Sequence, residues 1–268
     1  MTHARFTSAA ASAAFERRRP AASGAAPAAL FAAGALHEIY AAAPADAVAA
    51  AGFALAALAA ALPAAPGAGR RATLWARQDL AALEQGRAHA PGLSALGLDP
   101  ADLVAVGLRE PREALQAGLE GARSAALAAV IVELAGESPA YDLVASRRLA
   151  FAAAASATRV IVLRSAATPA PSAAETRWRV RAAPSTPLPA EAPGRPAFEL
   201  TLLRRRSGPE GLRWIVEWNR DDRRFLERPV PAVARDDDAG PALSGAVVPL
   251  PALRAEAGAD AAGWRRAG

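Results

Sequence analysis

The sequence predicts an α/β fold: a mostly parallel sheet flanked by helices, ending in a late antiparallel hairpin and a disordered tail. Three observations lead there. Short apolar runs alternate with helix-length segments from residue 34 to residue 163, the pattern of repeated βα units. Two of those runs, AVIVEL at 129–134 and RVIVL at 159–163, are almost continuously apolar, as strands covered on both faces are. Beyond residue 165 the pattern becomes polar–apolar alternation, interrupted by Ser207-Gly208-Pro209-Glu210-Gly211, a hairpin signal.

Taken in order, residues 1–30 are rich in Ala, Ser and Pro, with a short helix expected over 9–19, and read as a weakly packed arm. A strand at 36–40 leads to an apolar helix at 45–62, and a strand at 73–76 to a short helix near 80–84. Pro91 and Gly92 read as loop residues before a strand at 103–108. Pro111 opens a helix over 112–125 with acids and Gln in its first turns, as the helix dipole favours. After the strand at 129–134, Pro139 opens a helix over 140–155, and the strand at 159–163 closes the series. The segments 175–181, 198–205 and 212–219 alternate as strands. The expected organisation is an arm (1–30), an α/β domain (31–228) and a disordered Pro/Ala-rich tail (229–268).

Composition narrows the chemistry. Hydrophobic residues make up 53% of the 268, but alanine supplies much of that share. The fewer Leu, Ile, Val and aromatic positions therefore carry most of the packing energy. No cysteine is present, so disulfides and thiolate metal sites are excluded and a reducing cytoplasm is the expected compartment. His3, His37 and His89 are scattered without a metal-ligand spacing, and no metal or cofactor is expected. All 31 basic residues are Arg. Residues 175–228 hold twelve of them against eight acids, most of the formal charge of +5.

The first strand–loop–helix unit stands where a nucleotide-binding protein places GxxxxGK followed by Ser or Thr, whose amides and Lys cradle phosphates. Here the loop runs Ala41-Ala42-Ala43-Pro44-Ala45-Asp46-Ala47-Val48, with no Gly, no Lys and no hydroxyl. Asp46 places a negative group in the first turn of the following helix, where the dipole otherwise attracts an anion. It also serves simply as a favourable helix-start residue.

Five ordered segments, GALHEIY, RATLWARQDLAALE, PGLSALGLDPADLVAV, AVIVEL and SAAETRWRV, resemble the ImuA family. These are RecA-related proteins of inducible mutagenesis that are also loosely described as SulA-like. The resemblance spans about residues 30–228 and implies a RecA-like domain. It puts Ala47 and Val48 at the Lys and hydroxyl positions of the phosphate loop, and Gln78 in place of the Glu that activates water. A neutral amide orients a water but does not take its proton. Glu133 is offset by one residue from the magnesium-associated acid, which turns its side chain to the other face of the strand. The resemblance thus implies a non-catalytic protein of the SOS response that acts in translesion DNA synthesis. Its implied partners are an ImuB-type Y-family polymerase relative and an error-prone C-family polymerase, with RecA and weakly bound single-stranded DNA as further contacts. The SulA side of the resemblance implies the alternative, an SOS-induced inhibitor of cell division that binds the division GTPase.

Other residues offer contact chemistry. Trp178 is interleaved with Arg177, Arg179 and Arg181, an arrangement that suits stacking on bases and pairing with phosphates. Trp214 and Trp218 share one face of an alternating strand and read as core. Arg147 and Arg148 on the helix at 140–155, and Arg204, Arg205 and Arg206 at the hairpin, complete the candidates for DNA or partner contact. In the tail, Val248, Leu250 and Trp264 are candidate anchors on another protein. Glu133 and Glu137 read as loop-capping acids rather than a catalytic pair, and Ser138 and Ser165 have no His partner at a neighbouring strand end.

Overall fold

Each apolar run between helices becomes a strand, and each covered strand adds to one sheet. The computed structural model describes residues 27–64, 69–70 and 72–229. The helix expected over 9–19 and the candidate anchors Val248, Leu250 and Trp264 lie outside the described residues.

The first half contains β1 (Leu36–Ala41), α1 (Ala47–Ala61), β2 (Thr73–Gln78), α2 (Asp79–Gln85), α3 (Ala90–Leu96) and β3 (Leu103–Leu108). Then follow α4 (Pro111–Arg123), β4 (Ala129–Ala135), α5 (Leu143–Ser156) and β5 (Arg159–Ser165). The last part is all strand: β6 (Thr176–Ala182), β7 (Ala197–Arg205), β8 (Leu212–Asn219) and β9 (Arg224–Arg228). The sheet order is β3-β2-β4-β5-β1-β6-β7-β8-β9. Pairings from β3 to β6 are parallel and those from β6 to β9 antiparallel. The expected mostly parallel sheet with helices on its faces and antiparallel strands at its end is therefore the one observed, while the tail expected over 229–268 lies, beyond Pro229, outside the described residues.

Four expectations change. Pro91 and Gly92 lie in the first turn of α3 rather than in a loop. Pro fits there because the first amides of a helix have no intrahelical acceptor. Gly97 ends α3 in the left-handed region at φ 88°. The helix expected from 140 begins at Leu143, because Asp142 caps it by accepting a 2.7 Å hydrogen bond from the Ala145 amide. The short strand β9 had no counterpart in the sequence reading. Finally, Pro27–Leu30 form a 3-10 turn with Leu30 and Phe31 buried in the core, so packing starts inside the segment read as an arm.

Two cores flank the sheet. On one face α1 meets Ile39, Ile131, Ile161, Trp178, Trp214 and Trp218. This helix is apolar all round, as a helix buried in a fold is. On the other face α4 and α5 cover Leu36, Val130, Val132, Val160 and Val162. Gly118 brings α4 down on the sheet: a Cβ there would stand 2.2 Å from the Val132 methyl.

His37, fully buried on β1, joins the strands through its ring. Its Nε2 lies 3.2 Å from the Ala32 carbonyl, which only accepts, so Nε2 carries the proton. Nδ1 then accepts from the Thr176 hydroxyl at 2.8 Å, and that oxygen accepts from Trp178 Nε1 at 2.8 Å. Burial pushes the imidazole from 6.5 down to about 4. The unfolded chain therefore takes up this proton first as pH falls. Stability is full above about pH 6.5 and declines toward pH 4, by at most about 3 kcal/mol from this group. Urea midpoints across that range are expected to fall less steeply in His37→Leu than in the wild type. Equal slopes would show that another group carries the dependence.

Candidate functional site

The loop between β1 and α1 is closed by its own acid. Asp46 is 8% exposed. One carboxylate oxygen accepts from the Ala43 amide at 3.1 Å, inside the loop, and the other from the Ala182 amide at 2.9 Å, at the end of β6. Pro44, which has no amide hydrogen, starts the 3-10 turn that carries Asp46 into α1. Ala41 and Ala47 contribute methyl groups only, and Val48 is 61% exposed beside a hollow of about 210 Å³ whose wall includes Trp75, Arg77 and His89. Two backbone amides at this loop thus point to a fixed carboxylate. Asp46→Ala leaves both without their acceptor and is expected to cost about 2–3 kcal/mol. Chemical denaturation measures this, and a loss below about 0.5 kcal/mol would show that the tether is not holding the loop.

The neighbouring strand ends are also internally committed. Gln78 accepts from the Ala135 amide through its side-chain oxygen at 3.2 Å. Glu133 lies on the α1 face of β4, 3% exposed, and meets Arg77 in a two-pronged pair with distances of 2.6 and 3.2 Å. Trp75 Nε1 donates to the same carboxylate at 2.8 Å, and the Arg77 guanidinium lies 4.7 Å from the centre of the Trp75 ring. Arg77 Nη1 also donates to the Gly86 carbonyl at 2.8 Å. Glu137 does not join Glu133. It accepts from the Thr168 amide at 2.6 Å, and that hydrogen bond holds its carboxyl below the usual carboxylate range. Ser165 accepts from Gln85 at 3.4 Å, while the buried Ser138 hydroxyl has no partner among the described residues.

On the opposite face a second polar cluster corrects the reading of Arg177 as a contact residue. Arg177 is 8% exposed and pairs with the fully buried Glu38 at 2.6 Å. It also donates to Ser172 Oγ at 2.9 Å and to the Ala170 carbonyl. Tyr141 donates its hydroxyl to the other oxygen of Glu38 at 2.6 Å. Burial, together with the Glu38 charge, raises the Tyr141 hydroxyl well above its usual value, so it stays a donor. Trp178, Trp214 and Trp218 are all within the core, so none of these rings offers a face to bases.

Three of the predicted arginines do come together. Arg147 on α5 and Arg204 and Arg206 at the end of β7 line a groove of about 550 Å³, whose floor includes Leu36 and whose wall includes Phe151. Arg204 donates to the Ser172 carbonyl at 3.3 Å, whereas the guanidinium groups of Arg147 and Arg206 have no hydrogen-bond or ion-pair partner among the described residues. Arg148, Arg179 and Arg205 are not part of this groove; Arg205 lies against the turn at Gly208.

No protein-family model and no curated protein matches this chain. Among solved structures it is similar to the crystal structure of the RadB recombinase, at 16% identity and a TM-score of 0.46. That match covers 73% of this chain and 91% of that one. It is also similar to the crystal structure of SulA from Pseudomonas aeruginosa, at 18% identity and a TM-score of 0.37, covering 48% of this chain and 96% of that one.

Sequence reasoning missed Phe151, 76% exposed, and Leu143, 38% exposed. A signal for them existed: Leu143, Arg147 and Phe151 recur every fourth residue and so share one face of α5. The residues Ser146, Leu149 and Ala153 face the core instead.

Proposed function

We propose that this chain is a RecA-like accessory protein of SOS-induced translesion synthesis, one that docks polymerase-associated proteins and does not turn over nucleotide. The observation that supports it most directly is the Asp46 carboxylate. It takes the Ala43 amide, in the loop where a phosphate-binding protein offers its amides to a nucleotide, and with its other oxygen the Ala182 amide at the end of β6. The engagement of Gln78 with the Ala135 amide and of Glu133 with Arg77 agrees with it. The order of the five segments that resemble ImuA supplies the biological role. The direct partner in this reading is an ImuB-type Y-family polymerase relative, with an error-prone C-family polymerase in the same assembly.

Titration calorimetry with ATP and magnesium is expected to give no saturable heat. Micromolar binding would overturn the non-catalytic reading. Affinity capture from DNA-damaged cells, with the bound proteins identified by mass, is expected to return the Y-family relative. A division GTPase in its place would favour a cell-division inhibitor.

A further inference from the structure

The groove beside α5 combines features that the core does not use. Leu143, Arg147 and Phe151 form one outward stripe of the helix, with Val144 also 53% exposed. Opposite stand Arg204 and Arg206, at the point where β7 leaves the sheet. The floor is formed by Gly34 and Leu36 at the start of β1, and Pro171 stands on the wall. Its volume of about 550 Å³ lies within the usual range of ligand pockets. Two guanidinium groups without partners, Arg147 and Arg206, flank this apolar floor. A surface helix gains nothing in stability from a ring that is 76% exposed to water.

We infer that this groove docks an acidic, amphipathic segment of a partner protein, an inference that rests on the docking role above and names the kind of segment it takes. Charge complementarity selects the acids: carboxylates meet Arg147, Arg204 and Arg206 in the geometry guanidinium groups favour. The apolar side chains of the segment cover Phe151 and Leu143, which makes the ring of Phe151 the anchor and the arginines its rim. Nucleic acid fits less well. Strand binding without sequence preference uses successive rings as stacking platforms, and Phe151 is the only ring among the described residues lining the groove.

The test is selection of random twelve-residue peptides, displayed on phage, against the full chain, followed by anisotropy with the labelled winners. Selected peptides are expected to combine Asp or Glu with Leu, Phe or Trp. Their affinity is expected to drop about tenfold or more in Arg147→Glu and in Phe151→Ala, and to stay unchanged in Arg179→Glu. All three side chains are exposed, and thermal melts confirm that the variants fold. Winners without acids, or winners indifferent to both groove changes, overturn the proposal. So does labelled oligo-dT that binds with the same sensitivity to Arg147→Glu and Phe151→Ala. Capture of the Y-family relative by Phe151→Ala as by the wild type overturns the groove and leaves the docking role. Acidic winners on the groove without any polymerase-associated protein in the capture do the reverse.

Discussion

Arg177→Ala is expected to lower the free energy of unfolding by about 3–5 kcal/mol. The change leaves Glu38, which is fully buried, with the Tyr141 hydroxyl as its remaining side-chain donor. It also strips the Ser172 hydroxyl and the Ala170 carbonyl of the guanidinium that bridges their loop to the sheet. The cost arises from the stranded carboxylate more than from the lost attraction, because burying two charges costs much of what their pairing returns. A double variant, Glu38→Leu with Arg177→Met, is therefore expected to recover most of the loss. Urea unfolding of the single and double variants checks both statements. If Arg177→Ala shifts the midpoint no further than Arg179→Ala, the side chain is a surface group and its reading as a DNA or partner contact returns.

Trp178→Ala is expected to cost about 3–5 kcal/mol, which in a domain of this size lowers the melting temperature by about 10 °C. The ring lies stacked on Phe31 at 5.6 Å and 13°, and tilted against Phe53 at 5.8 Å and Trp214 at 5.7 Å. Its indole nitrogen anchors the Thr176 hydroxyl that serves His37. Removing it opens a cavity where helix α1, the turn before β1 and the antiparallel strands meet. A loss below about 1 kcal/mol would mean that the aromatic cluster does not hold these parts together.

These two residues show what was legible in the sequence and what was not. Strands β4 and β5 could be read because covering on both faces demands continuous apolar runs, and AVIVEL and RVIVL supply them. The start of α5 was displaced because Pro139 looked like a helix opener, while Asp142 makes the cap. In TRWRVRA the alternation of Arg and Trp identifies two faces but not which is buried. Here both are, at Arg177 and Trp178. The partner that allows Arg177 inside is Glu38, 139 positions away, and no local pattern announces a pair so distant. Strand β9 was hidden because RFLER carries charge at an edge, where charge keeps other strands away. That the loop after β1 lacks Gly, Lys and hydroxyl was legible, since these are absences of residue types. That its Asp46 reaches Ala182 was not, because that contact exists only once β6 lies beside β1.

The tether from Asp46 to Ala182 has a consequence for control. A loop that must wait for a phosphate changes its order with the cell's supply of nucleotide, and a protein built around it can be switched by that supply. Here the anion is part of the chain, present in every copy from the moment of folding. If the loop binds no nucleotide, as proposed, a metabolite has no second state of it to select. On the proposed reading, the output of the protein would scale with how many copies exist, and control would pass from occupancy to synthesis and destruction.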